Sequence, residues 1–504
     1  MRKQKENLTF EALRCIINPS DRRGGFDVKT DIIPEPQSIE QKGDFVVFTL
    51  TRLAELSCDE KAENAMNYFK EFCLNHFELE FVGTGREQLS FSVVKNLPNE
   101  GYRLTVDENA VKIEGGSESG VFYGIQSLIW LLVENEMALS AVEIEDFPQN
   151  EYRGLMLDCA SWFFAPESIK LFLDVMALHK LNVFHWKLSG DMGWRLELFD
   201  NFLLSQIGSA RAFTGLGKVP HSGCYSQADV RDILDYAKKR CITVVPELDF
   251  PDHTAAAVCA YPSLSCKGNR TAVPTRFGDT SDCLCLGKDE TLDFVFSVLD
   301  ETVQLFESRC IHIGGERSKK SPRSSCPRCV EKMRALGTDE SGLLKNFYAL
   351  VADHLEKRGV KVIVRSSELP ADLKTVIFDS RTRPADGALT LDSSVLLSLS
   401  HSEMGVRECY EHEPFLPSIG AEAVLNTEHA PSIKKAEELL FPRLGACCEN
   451  FWTKKESRSF SRFLEKLDSY YTLLDWFGLF YTKKKSAFPG RVKGAIEKIK
   501  MKSR

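Results

Sequence analysis

The chain has 504 residues and lacks any hydrophobic run long enough to cross a bilayer. Its longest nearly unbroken apolar stretch, Val121–Val133, is 13 residues, and a spanning helix needs about 20. The opening MRKQKENLTFEALRC has a basic tip but no apolar core, so no secretory signal is read there. The expectation is therefore no membrane contact and a cytoplasmic location. Positive charge is scarce over most of the chain. The net charge is −8, although the last 22 residues, Lys483–Arg504, hold nine Lys/Arg against one Glu. The remaining body is strongly acidic, which excludes nucleic acid as an expected partner. Tryptophan is also sparse: of six, none lies between Trp194 and Trp452.

Cysteine is not scarce, but its pattern is scattered. Sixteen cysteines without an export signal read as free thiols in a reducing compartment. Cys326-Pro-Arg-Cys329 is the only CxxC, and one pair cannot complete a tetrahedral zinc site. Cys310, or Cys447 with Cys448, are the thiols considered for completing it. The simpler expectation is two ordinary thiols at a loop–helix junction, with no metal and no cofactor.

The patterning divides the chain into a flexible lead (1–30), a small α+β domain (31–148), a larger repeating region (149–482) and a basic tail (483–504). In the small domain, Tyr102–Val106 and Ala110–Ile113 alternate like paired strands across an Asp-Glu-Asn turn, and Gly120–Leu132 reads as an apolar helix. Beyond Tyr152 the rhythm becomes strand then helix. The candidate strands are Gly154–Leu157, Val183–Leu188, Ile242–Val245, Ile311–Ile313, Val360–Val364, Val376–Phe378, Val395–Leu399 and Ala421–Leu425. Helices open at Pro166 and at Ser226, where Ser-Gln-Ala-Asp resembles a capping box. Eight such units over about 300 residues predict a (β/α)8 TIM barrel, an α/β fold, preceded by the α+β domain. A doubly wound sheet is disfavoured, because no glycine-rich fingerprint follows the first strand.

A barrel places its chemistry at the C-terminal ends of its strands. Polar residues collect there: Asp158 after strand one, His185 and Lys187 on strand two, and Glu247, Asp249 and His253 around strand three. Strand four ends in His312-Ile-Gly-Gly-Glu316-Arg317, and strand eight in Asn426-Thr-Glu428. Any one of these reads equally well as a satisfied core polar group. Their convergence on one mouth is harder to dismiss.

These residues carry a resemblance to the family 20 glycoside hydrolases, the β-N-acetylhexosaminidase group. The matching segments are Arg153-Gly-Leu-Met-Leu-Asp158, Lys180-Leu-Asn-Val-Phe-His-Trp186, Gly193-Trp-Arg-Leu-Glu197, Pro246-Glu-Leu-Asp-Phe-Pro251 with His253, His312-Ile-Gly-Gly315, and Pro442-Arg-Leu444 with Glu449 and Trp452. Ile33-Pro-Glu-Pro-Gln37, Tyr102-Arg-Leu104 and Gly120–Leu128 resemble the small domain that precedes the family's barrel. The resemblance implies substrate-assisted hydrolysis, in which the sugar's own acetamido oxygen attacks C1, an exception to the two-carboxylate scheme. It also implies a carbohydrate or glycoconjugate ligand.

The chain departs from that pattern where the chemistry is done. The family's Asp-Glu, orienting group and proton donor, corresponds to Glu316 and Arg317, and a guanidinium cannot donate a proton at neutral pH. If the loop is one residue shorter, Glu316 itself reaches the acid position. The family's sugar-gripping arginine corresponds to Ser161, and its His-Trp-His reads His185-Trp-Lys187. Asp191 stands one residue late. Arg365, Ser380 and Asn426 replace the pocket's tryptophans, while His253 and Glu428 remain. The residues expected to act are thus Glu316, Asp249 and His253, with Asp158, Asp191, Arg317, Glu428, His185 and Lys187 binding substrate. Three readings follow: a glycosidase of altered specificity, a non-catalytic protein binding a glycan or anionic ligand, or an assembly protein using the barrel as a surface.

Overall fold

The computed structural model describes residues 29–214, 219–278, 282–365, 376–380, 389–397, 404–415 and 418–482. Contacts divide the chain into two units, one ending at Phe147 and the other comprising Ile33–Glu35 and Pro148 onward. The lead and the basic tail expected from the sequence lie almost wholly outside the described residues.

The first unit is a six-stranded sheet in the order β1-β6-β4-β5-β3-β2. Its strands are β1 (Ser38–Thr49), β2 (Glu55–Cys58), β3 (Gln88–Val93), β4 (Tyr102–Asp107), β5 (Ala110–Gly115) and β6 (Ala138–Asp146), with helices α1 (Glu63–Phe77) and α2 (Glu118–Glu134). The hairpin expected across Asp107–Ala110 forms, with Val106 opposite Val111. The apolar run becomes α2, capped by the Ser117 side chain and buried along nearly its whole length.

The second unit is a closed barrel of eight parallel strands. These are β7 (Tyr152–Asp158), β8 (Val183–Lys187), β9 (Thr243–Glu247), β10 (Cys310–His312), β11 (Lys361–Val364), β12 (Val376–Ser380), β13 (Thr390–Leu396) and β14 (Gly420–Leu425). β14 pairs with β7 to close the ring. Among the surrounding helices are α3 (Pro166–Leu178), α4 (Gln227–Lys238), α5 (Asp289–Phe306), α6 (Pro327–Leu336), α7 (Glu340–Glu356), α8 (Ile433–Leu440), α9 (Arg443–Trp452) and α10 (Leu467–Trp476). Proline opens α3 at a position where a backbone N–H has no intrahelical partner. Ser226 caps α4 reciprocally with Asp229, the capping box the sequence announces. Among the described residues, no helix is long and apolar enough to cross a membrane.

The seventh strand differs from expectation. The apolar stretch suggested Val395–Leu399, but pairing begins at Thr390, and residues 398–399 lie outside the described set. The strand's early residues are polar, yet buried Asp392 accepts from Ser394 and contacts His412 Nε2 at 2.9 Å, which satisfies it inside the fold.

The barrel interior explains why the site sits where it does. Val183, Val245, Ile363, Ile377 and Leu391 form an apolar floor. Side chains two residues further along a strand face the same way, so a polar layer of His185, Glu247, Arg365, Asp379 and Ser393 stands above that floor. Gly154 makes room for Glu422 in this layer: a Cβ there would lie 2.7 Å from the Glu422 Cβ.

Candidate active site at the barrel mouth

The polar layer is a network of buried ion pairs. His185 Nε2 lies 2.9 Å from Glu247 Oε2, and its Nδ1 lies 3.1 Å from Glu422 Oε1. The Lys187 ammonium donates to Glu247 Oε1 at 2.9 Å and to Asp249 Oδ2 at 2.6 Å. Arg365 pairs with Asp379, which also contacts His312 Nε2 at 3.0 Å. Tyr152 donates its hydroxyl to Glu422 at 3.0 Å. Three cations, His185, Lys187 and Arg365, thus face four carboxyl groups.

The balance sets the protonation states. Burial would raise the Glu247 carboxyl, but Lys187, His312 and His185 outweigh it and hold Glu247 well below the usual range. Asp379 is likewise held low against burial by Arg365 and His312. Burial opposes the charge on His185, yet Glu422 and Glu247 raise its pKa to about 10. Asp249 is the fourth acid. Burial, helped by the Glu247 charge and only partly offset by Lys187, pushes it up to about 7. Asp249 is therefore far more readily protonated than Glu247 or Asp379, because burial outweighs its single close cation. Gly314 crosses over it at φ +69°, and a Cβ there would lie 2.2 Å from Asp249 Oδ1.

The remaining predicted residues take different places. Asp158 is fully engaged inside the protein: it accepts from the Ser161 N–H at 3.0 Å and the Thr427 N–H at 3.3 Å, and also from the Ser161 hydroxyl. The serine that stands where the resemblance puts an arginine therefore turns inward to Asp158. Asp191 is well placed despite its late position in the sequence. Its Oδ2 lies 2.8 Å from His253 Nδ1, and its Oδ1 accepts from the Ala255 N–H at 3.1 Å. Glu316 is exposed at the mouth, where its charge acts on Arg365. Arg317 points outward, 3.5 Å from Glu340 on α7 and half exposed. Glu428 is half-buried, and its carbonyl accepts from the Trp162 indole at 3.3 Å.

Sequence reasoning missed Asp379, Glu422 and Trp162. The first two had a legible signal, a lone acid within an otherwise apolar strand. Trp162 sits on the loop after β7, under the Arg211 guanidinium 4.7 Å from its ring centroid, and nothing in its spacing marks it.

Two family models cover most of this architecture. Glycosyl hydrolase family 20, domain 2, matches residues 29–147, and the family's catalytic domain matches residues 150–377. The chain belongs to glycosyl hydrolase family 20. A β-hexosaminidase of Porphyromonas gingivalis is 33% identical over 427 residues, 76% of this chain and 55% of that protein. The chain thus spans about half the length of that relative. The β-N-acetylhexosaminidase of Bacteroides fragilis superposes with a TM-score of 0.76 at 26% identity, covering 91% of this chain and 99% of that one. A Vibrio harveyi exo-β-N-acetylglucosaminidase solved with N-acetylglucosamine has the same fold, with a TM-score of 0.79 at 24% identity over 92% of this chain and 80% of its own. The family 20 resemblance read from the motifs, and with it the barrel and its preceding domain, is therefore correct.

One pH dependence follows from this family 20 site. Burial opposes the charge on His253, but the bond to Asp191 raises its pKa to about 9. A raised imidazole stabilises the fold fully below its unfolded value of about 6.5 and loses that contribution as pH rises through about 9. His253 is about one-third exposed, so solvent screening limits the effect to about 1 kcal/mol. Between pH 6 and pH 9.5, denaturant unfolding is expected to show a stability loss about 1 kcal/mol smaller in Asp191→Asn than in the wild type, the difference being the His253 contribution.

Proposed function

We propose that this family 20 protein binds a β-linked N-acetylhexosaminide or related glycan at the barrel mouth and does not hydrolyse it efficiently. The observation that carries this reading is the side chain at the proton-donor position. Arg317 is a guanidinium, and it is turned outward to Glu340. The family's route needs an acid that protonates the leaving oxygen, and Arg317 supplies none. Candidate binding groups persist after other strands: the Asp191–His253 pair, and Glu428, whose carbonyl meets Trp162.

A second reading has one observation in its favour. Glu316 faces the mouth closely enough for its charge to raise the pKa of Arg365. A glycosidase of altered specificity would use Glu316 as the acid, with Asp249 and His253 behind it.

The decisive experiment is an assay of the full chain on an umbelliferyl N-acetyl-β-glucosaminide, beside calorimetry with N-acetylglucosamine. The expected result is turnover at the buffer background together with saturable heat that Glu428→Ala weakens at least tenfold. Turnover in the wild type that disappears in Glu316→Gln would replace the binding reading with the hydrolytic one. Neither turnover nor binding across neutral, amino and acidic sugars would remove both.

A further inference from the structure

Four cysteines from distant parts of the chain meet at one point above the barrel. Cys266 and Cys285 lie on the long connection between β9 and α5, while Cys326 and Cys329 flank the first turn of α6. One sulfur from each lies within 4.8 Å of all the others. The recorded separations are 3.8 Å for Cys266–Cys329, 3.7 Å for Cys285–Cys326 and 3.6 Å for Cys285–Cys329. The thiols considered from sequence spacing, Cys310 and Cys447 with Cys448, do not belong to this group. Its second pair comes instead from a segment about 40 to 60 residues upstream.

Those distances distinguish two chemistries. A disulfide requires about 2.05 Å between sulfurs, which no pair approaches. A tetrahedron of thiolates around zinc at about 2.3 Å has edges of about 3.8 Å. Three of the six edges, at 3.6–3.8 Å, fall at or just below that value, and all six lie within 4.8 Å. We propose that Cys266, Cys285, Cys326 and Cys329 form a structural site for one tetrahedral zinc ion.

The surroundings suit such a centre. Three of the four cysteines are buried, so water is largely excluded. The Gly287 N–H reaches the sulfurs of Cys285 and Cys329, the outer-shell donation that thiolate centres use. A Cβ on Gly287 would lie 2.2 Å from the Arg328 carbonyl carbon, so only glycine lets this turn approach α6. Four thiolates on a divalent ion leave a net charge of about −2. The wholly buried Arg323 guanidinium, paired with Asp252 at 2.9 Å, lies close enough to feel the charge of Cys266.

The site has a structural consequence. It clamps the connection after β9 to the loop after β10, and that second loop carries Glu316 and Arg317. Zinc would thus hold the position where the family places its proton donor without touching substrate itself.

The test uses the full chain, purified from zinc-supplemented medium and dialysed without chelator. Elemental analysis is expected to find about one zinc per chain. Titration with an organomercurial should release that zinc as four thiols react. Cys285→Ser should retain less than a tenth of the metal, while Cys241→Ser, outside the cluster, retains all of it. Should Cys285→Ser fail to fold, cobalt substitution of the wild type decides: intense sulfur-to-cobalt charge transfer with tetrahedral d–d bands is expected. The proposal is overturned by a wild type that binds less than a tenth of an equivalent after equimolar zinc is added. It is equally overturned by cobalt spectra without the sulfur bands, or by mass spectrometry showing these four cysteines joined as disulfides.

Discussion

Lys187→Met is expected to destabilise the barrel by about 3–5 kcal/mol at pH 8, the range for removing one partner of a buried ion pair. Lys187 is the cation shared by Glu247 and Asp249, at 2.9 and 2.6 Å. Methionine fills nearly the same volume, so the loss is electrostatic rather than a cavity. Glu247 keeps His185 and Arg365 nearby, while Asp249 loses its closest cation. The pH dependence identifies the cause. Asp249 already has a pKa raised to about 7 in the folded state, against about 3.9 when unfolded. A raised carboxyl stabilises the fold when protonated, and that contribution is lost as pH rises from about 4 through 7. Without Lys187 the folded value climbs further, so the variant's deficit should be smaller at pH 5 than at pH 8. Adding Asp249→Asn should recover part of it at pH 8. Chemical unfolding at both pH values measures all three quantities. A deficit that is the same at pH 5 and pH 8 and is untouched by Asp249→Asn would show that Lys187 acts through packing alone.

Replacing Arg317 by glutamate, together with Glu316→Asp, is expected to raise hydrolysis of an N-acetyl-β-glucosaminide with a poor leaving group by about a hundredfold or more over wild type. A positioned general acid is worth about 10²–10⁴ in rate. The structural cost is moderate: Arg317 itself is half exposed, but Glu340 is only 16% exposed and loses this partner, about 1–3 kcal/mol. Glu340 also helps, since its negative charge repels a new carboxylate and favours the rotamer facing the barrel. The leaving group separates acid catalysis from a general improvement in binding. A nitrophenolate departs with little need of a proton, so its hydrolysis should change far less than that of an alkyl glycoside. Equal gains on both substrates would mean that the swap improved binding. No gain on either would place the block elsewhere, with Ser161 at the position of the family's sugar-gripping arginine the first candidate.

The local devices of the fold were readable one segment at a time. The turn at Asp107–Ala110, the capping box at Ser226 and the proline opening α3 each depend on a few adjacent residues. Short β-rich apolar runs marked the barrel strands, because a strand covered on both faces buries successive residues. Where burial is bought by polar pairing, that signal fails. Asp392 and Ser393 are wholly buried in β13 yet look like loop residues, so the strand was expected five residues late.

The sequence by itself determined the family, the eight-strand rhythm and the Glu316-Arg317 pair that follows the double glycine, because these rest on residue identity and short-range periodicity. Only the tertiary structure decided that Asp191 reaches His253, that Arg317 faces Glu340, and that Lys187 lies between two acids. It alone brought Cys266 and Cys285 beside Cys326 and Cys329. Closing a barrel brings together side chains from strands and loops tens of residues apart, and the energies of buried charges and thiolates depend on those distances. Spacing along the chain carries no record of them.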